Sequence, residues 1–86
     1  MSQWHVYIVR CADQSFYTGI AKDVEQRVDK HNAGTGAKYT RSRLPVELVY
    51  REAVGERGDA LKREIAIKRL DASDKRRLVD ASVTGR

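Results

Sequence analysis

The sequence predicts a mixed α/β (α+β) fold: a small three-stranded antiparallel sheet flanked by helices, in the order β-β-α-β-α-α. Three observations predict it. Two short runs rich in β-branched and aromatic residues, "WHVYIVRC" and "FYTGIA", stand on either side of the turn-forming "ADQS". A third such run, "VELVYREAV", comes later. Three other segments read as helices, two of them behind a capping residue.

The hairpin comes first, with Trp4 to Cys11 and Phe16 to Ala21 as its arms. A three-residue loop, Ala12 to Gln14, pairs Tyr7 with Gly19 and Val9 with Tyr17, so both tyrosines face one side. Trp4, Val6, Ile8, Phe16 and Ile20 then form a buried layer on the other. A two-residue loop would slip the register by one and send the tyrosines to opposite faces. The odd loop is favoured, with Gln14 in its left-handed position.

Asp23 caps the first helix, with Gln26 at the reciprocal position of a capping box and Gly34 ending it, so it runs to about Asn32. "GTGAKYTRSRLP" reads as an extended basic loop that holds neither helix nor buried strand. The third strand spans Val46 to Val54 and the second helix Asp59 to Leu70. Ser73 caps a short third helix over residues 73–83. With 86 residues and one Pro, this is a single domain over residues 1–86 whose core occupies about 4–70.

Polar residues on faces that should be buried carry the functional information. Val24, Arg27, Val28 and His31 follow helical spacing, so an arginine and a histidine share a stripe with two valines. Glu64 falls at the middle of the second helix's apolar face, between Ala60 and Ile67 on one side and Leu61 and Ile65 on the other. A carboxylate there must be paired, hydrogen-bonded or bound to a cation. The plainest account is an internal Arg27–Glu64 salt bridge with His31 as a satisfied helix-end residue. Gly19, which weakens a strand, makes more sense if it leaves a concavity over the sheet beside the two tyrosines. Tyr7, Tyr17, Arg27, His31 and Glu64 would then converge on one pocket.

Their chemistry suits phosphodiester hydrolysis. Arg27 can hold a phosphate through a forked pair of hydrogen bonds and stabilise the charge that builds on it. Glu64 can hold one divalent cation, Mg²⁺ or Mn²⁺, whose shell is completed by water and substrate phosphate. Tyr7 can accept the proton of an attacking water or orient it, while His31 and Tyr17 are candidates for proton relay or leaving-group contacts.

These residues, in this order, resemble the GIY-YIG nuclease superfamily over almost the whole chain. "VYI" with Tyr7 corresponds to its first motif and "YTG" with Tyr17 and Gly19 to its second; "QRVDKHNAG" supplies Arg27 and His31, and "LKREIAIKRL" supplies the metal-binding Glu64. The spacing is most similar to the small stand-alone bacterial proteins of the superfamily. The resemblance implies a nuclease core that cleaves DNA with one divalent cation, in DNA repair or processing. The chain departs from the motif at His5 and Val6, where the name calls for Gly and Ile, and carries no Asn after Asn32.

Larger relatives attach domains that choose the DNA; here the choice falls to the basic loop, an oligomer or a partner protein. In that loop Lys38, Arg41 and Arg43 suit phosphates and Tyr39 offers a face for a base, which together with Gly19 makes the candidate nucleic-acid-binding set. "KRE", "KRL" and "DKRR" read as solvated helix faces. The balance of 17 Lys+Arg against 12 Asp+Glu, net +5, favours a polyanionic partner, single-stranded or branched DNA included. No apolar run reaches the roughly 20 residues of a membrane span. A lone cysteine, Cys11, and no signal-peptide pattern point to the cytoplasm, as a monomer or weak homodimer. The competing functions are a nucleic-acid-binding module of the same fold with little catalysis, and a structural adaptor.

Overall fold

The structure, a computed structural model, describes residues 3–84. Strands β1 (Trp4–Arg10) and β2 (Phe16–Ala21) form the expected hairpin, and β3 (Glu47–Gly55) pairs antiparallel with the other side of β1, giving the sheet order β2-β1-β3. Tyr7 lies opposite Gly19 and Val9 opposite Tyr17, the register of the three-residue loop. Gln14 adopts φ 72°, and its N–H donates to the Cys11 carbonyl at 2.9 Å, while the Cys11 N–H closes the loop on the Ser15 carbonyl at 2.8 Å. A type I turn followed by a left-handed residue is the geometry whose twist fits such a hairpin. The Asp13 carboxylate accepts the Ser15 N–H at 3.0 Å and helps fix the turn.

The helices are α1 (Val24–Asn32), α2 (Lys38–Arg41), α3 (Arg57–Lys68) and α4 (Ala72–Thr84). Asp23 caps α1 by accepting the Gln26 N–H at 3.0 Å. The helix ends in a Schellman pair: the Gly34 N–H reaches the His31 carbonyl and the Thr35 N–H the Lys30 carbonyl, each at 3.0 Å, with Gly34 at φ 82°.

Among the boundaries that differ from the sequence reading, three have a local cause, while β3 shifts by one residue and α3 ends two residues early. The basic segment is not wholly extended. It contains the single turn α2, because the Thr40 hydroxyl and N–H both bond back to the Ala37 carbonyl and Thr40 is buried. Helix α3 starts at Arg57, two residues early, because Asp59 sits inside its first turn and reaches back to accept the Glu56 N–H at 3.3 Å. Helix α4 is capped by Asp71, whose carboxylate accepts the Asp74 N–H at 2.8 Å, and not by Ser73, which lies inside it.

The sheet has a core on each face. On one, Tyr7, Val9, Cys11 and Ala21 pack with Val24, Val28 and Val46, so α1 covers the tyrosine side. On the other, Val6 and Ile8 pack with Ala60 and Ile67 of α3 and Val79 of α4, flanked by Trp4, Phe16 and Ile20. The central strand β1 is consequently buried from Val6 to Val9. Burying a side chain such as Ile67 stabilises the fold by about 1.5–3 kcal/mol. Asn32, the last residue of α1, holds the start of β3 in place: its amide donates to the Val46 carbonyl at 3.0 Å and accepts the Val46 N–H at 2.7 Å.

Candidate active site

Tyr7 and His31 form the buried heart of the site. Alternation along β1 points Tyr7 to the α1 side, and its spacing from Val24 and Arg27 points His31 at the same surface. Tyr7 is 1% exposed and His31 fully buried. The Tyr7 hydroxyl lies 2.8 Å from His31 Nε2, and His31 Nδ1 lies 2.8 Å from Thr40 Oγ1. The Thr40 hydroxyl also stands 2.9 Å from the Ala37 carbonyl, which can accept its proton. With the proton of His31 on Nδ1 the Nε2 lone pair accepts the Tyr7 O–H; with the proton on Nε2, Nδ1 accepts from the Thr40 hydroxyl and the Ala37 N–H. The Ala37 N–H donates to Nδ1 at 3.4 Å, the longest of the three contacts on the ring.

Two glycines make this packing fit. A Cβ on Gly19 would lie 2.5 Å from the Tyr7 hydroxyl oxygen and 2.7 Å from its ring. The expected concavity over Gly19 is therefore filled by the Tyr7 phenol, which crosses the neighbouring strand where a side chain is missing. Gly36 plays the same part for the histidine, since a Cβ there would lie 2.8 Å from the His31 Cα.

Burial pushes the Tyr7 phenol up to about 12, while the adjacent Arg27 guanidinium opposes that rise and the Tyr17 and Glu64 charges add to it. His31 is lowered from its ordinary value, first by burial and then by the charge of Arg27. Both members of the pair are neutral at neutral pH. Tyr17 meets the His31 ring edge-on at 5.4 Å and stacks against Tyr39 at 5.9 Å. Tyr7, Tyr17, Arg27 and His31 thus gather on one face, as expected.

Glu64 arrives differently. Its helix α3 packs under the opposite face, with Ala60 and Ile67 buried, while Ile65 is 51% exposed. Glu64 lies between the two buried residues, as its spacing predicts, and its side chain is 17% exposed, while Ile65 turns outward. Its carboxylate pairs with Lys68 at 3.5 Å, and Lys68 Nζ lies 6.0 Å from the Tyr17 ring centre, which places the pair near Tyr17 on the outer strand β2. No Arg27–Glu64 ion pair forms among the described residues, so the internal salt bridge that the sequence suggests is replaced by the local Lys68–Glu64 one.

The donor set around Glu64 suits a weakly caged ion. Its side chain is 17% exposed, and no group of three His, Cys, Asp or Glu side chains that could hold a metal occurs among the described residues. A single carboxylate fits an ion that keeps most of its water, as Mg²⁺ does, and does not fit zinc.

The basic segment divides in two. Lys38 and Arg41 are exposed, with no ion-pair partner among the described residues. Arg43 is committed to structure: its Nε donates to Asp13 at 3.0 Å, its Nη1 to the Tyr39 carbonyl at 2.7 Å, and its guanidinium lies 4.0 Å from the Tyr39 ring centre. Tyr39, 39% exposed, is held between these neighbours and Tyr17. Sequence reading missed Thr40, Gly36, Asn32 and Lys68. "GTGAKYT" held the signal for the first two, since a glycine and a small hydroxyl residue close to a buried histidine are the residues a tight approach and a satisfied ring nitrogen require.

Comparison with known proteins agrees with this arrangement. The GIY-YIG catalytic domain matches residues 3–77. The UPF0213 protein of Desulfotalea psychrophila is 54% identical over 83 residues, covering 95% of this chain and 76% of its own length. That of Staphylococcus saprophyticus is 51% identical over 79 residues, covering 92% and 96%. Among solved structures, the solution NMR structure of the UPF0213 protein of Bacillus halodurans is 42% identical with a TM-score of 0.58, covering 91% of this chain and 83% of the other. A protein of E. faecalis is 37% identical with a TM-score of 0.60, covering 94% and 85%. With its tyrosine pair, helical arginine and edge glutamate on a three-stranded sheet, the chain belongs to the GIY-YIG family of nucleases.

Proposed function

We propose that this protein is a divalent-metal-dependent endonuclease that hydrolyses phosphodiester bonds in DNA, in repair or processing. The observation that carries the reading is the buried chain from Tyr7 through His31 to Thr40 with Arg27 beside it. A neutral histidine, in the tautomer whose Nε2 lone pair faces the phenol, can take the phenolic proton as the phenol oxygen takes one from an attacking water. The water oxygen bonds to phosphorus, the bond to the leaving oxygen breaks, and that oxygen takes a proton from solvent. Arg27 holds the phosphate and stabilises the charge that builds on it, which also favours proton loss from Tyr7. Tyr17, against the His31 ring, borders the leaving side. Glu64 would hold one Mg²⁺ or Mn²⁺, which when bound supplies positive charge to the phosphate oxygens.

The test incubates purified protein with labelled single-stranded, duplex, flap and branched DNA in Mg²⁺, Mn²⁺ or EDTA. Cleavage of at least one form should require metal, and Glu64→Gln should abolish it while the domain stays folded. Unchanged cleavage by Glu64→Gln in Mg²⁺ would remove the metal role. Binding without cleavage under every condition would favour the binding module instead. Arg27→Ala should reduce turnover about 100-fold or more and affinity much less.

A further inference from the structure

A groove runs along the outer edge of β2, starting beside the catalytic candidate Tyr17. It consists of two adjoining clefts of about 350 and 370 Å³ that share Phe16 and Lys75. The first opens beside Tyr17 and Tyr39 and is lined by Thr18 and Lys68; the second continues past Ser15 and Gln14 to Ser73 and Arg76 of α4. Three cations, Lys68, Lys75 and Arg76, line the two clefts, and no carboxylate does. Lys68 is shared with Glu64 at 3.5 Å; Lys75 and Arg76 have no ion-pair partner among the described residues, the nearby Asp74 pairing with Arg77 at 3.6 Å.

Two further observations mark the groove as a binding surface. β2 is the outer strand of the sheet, so its backbone groups on that side have no strand partner. Thr18, on the first cleft, is 2% exposed, and its hydroxyl is buried without a hydrogen-bond partner, a condition that native structures rarely leave without a cause. The volume also bears on the ligand. Clefts of this volume are the size of small-molecule sites, a scale that suits the successive nucleotides of one strand.

We propose that this groove is a track for one strand of nucleic acid, leading from the Tyr7–His31 centre along β2, with Lys75 and Arg76 on its phosphates and Lys68 at its catalytic end. "DKRR" is then a wall of the groove as well as a solvated helix face. The proposal deepens the nuclease reading and rests on its nucleic-acid substrate: it names a substrate with a single-stranded flank, such as a flap or an overhang.

The experiment uses full-length Glu64→Gln protein and two fluorescent probes, a thymidine oligonucleotide of about ten nucleotides and a blunt duplex of the same length, titrated across salt concentrations. Lys75→Ala with Arg76→Ala should weaken single-strand binding tenfold or more at low salt and flatten the log-log salt slope by about 1.4, with the blunt duplex little affected. Lys75→Arg with Arg76→Lys, which keeps both charges, should restore the slope. Lys22→Ala with Arg57→Ala removes the same charge beside Trp4, at the other end of β1 from the hairpin loop, and should not reproduce the loss. An equal loss from that control, or equal losses on both probes, overturns the groove. If the parent protein cleaves DNA while the Lys75/Arg76 variant binds both probes as the parent does, the groove fails and the nuclease reading stands. If the single-strand loss appears but the parent cleaves nothing, the groove stands and the nuclease reading fails.

Discussion

At the scale of single residues, His31 accounts for most of what distinguishes this site. It is fully buried, hydrogen-bonded through both ring nitrogens, and lowered in pKa by burial and by Arg27. The folded state therefore binds fewer protons than the unfolded chain once pH falls toward the ordinary histidine value of 6.5. Stability from His31 is fully present above that pH and lost below it. Thermal melts should show wild-type Tm declining as pH falls below about 6.5, with a shallower decline for His31→Gln; parallel curves would refute it. Tyr7 has the opposite sign: raised to about 12, it stabilises the fold below about pH 10, and that contribution fades as pH climbs toward 12. Gly19 tests the packing that holds the phenol. Gly19→Ala should cost about 1–3 kcal/mol and lower cleavage by displacing Tyr7. In a Tyr7→Ala background the same substitution should cost far less, a coupling that a double-mutant cycle measures directly.

At the scale of elements, the ends of the helices decide where the functional groups stand. The Schellman close after α1 turns the chain so that Gly36 and Thr40 return onto His31, and the paired hydrogen bonds from Asn32 set where β3 begins. The cap of α4 offers a simple check. Asp71→Ala should lower stability by about 1 kcal/mol, because the Asp74 N–H loses its acceptor, while Ser73→Ala inside the helix should change it by a few tenths at most. Denaturant titration of both variants separates them, and the reverse ranking would restore Ser73 as the cap. Element packing also explains Glu64. One turn of α3 buries Ala60 and another Ile67, and the carboxylate between them stays 17% exposed, enough to meet Lys68 and an ion.

At the scale of the whole molecule, two cores share one thin sheet, and the site uses both. The tyrosines, Arg27 and His31 belong to the α1 side, Glu64 to the helix packed beneath the other. The net charge of +5 is not spread evenly in its effect, since Arg10, Arg43, Arg51, Arg63, Lys68 and Arg77 are all engaged in ion pairs. Among the cations that remain for long-range attraction, beside Lys75 and Arg76 of the groove, are Lys38 and Arg41. Replacing both by Ala should weaken DNA binding and reduce the log-log salt slope by roughly 0.7–0.9 for each phosphate no longer neutralised. Arg43→Ala should instead lower Tm through the loss of its Asp13 and Tyr39 partners, with a smaller change in slope. Salt titrations and melts of the three proteins decide between these roles. No helix of the described residues is long and apolar enough to cross a membrane.

The sequence by itself determined the features that local periodicity and chain chemistry control. Alternation in the two arms and an odd loop length fix the Tyr7–Gly19 register, and Asp23 and Gly34 mark the limits of α1, because these signals act over a few residues. Grouping the tyrosines with Arg27 and His31 was legible for the same reason. Tertiary structure alone decided the rest. The turn α2 exists because Thr40 is drawn into the core by the His31 ring, a bond across nine residues that no propensity encodes. Gly19 is a glycine because a phenol from another strand occupies the space of its side chain, not because a ligand does. Arg43 and Tyr39 read as nucleic-acid contacts in the linear sequence, and the fold also gives them partners in Asp13 and Tyr17, thirty and twenty-two positions away. Glu64 pairs with a lysine one turn along its own helix rather than with Arg27, because α1 and α3 lie against opposite faces of the sheet. Which partner satisfies a buried or half-buried polar group depends on which elements the sheet brings together, and that pairing is made only when the chain is packed.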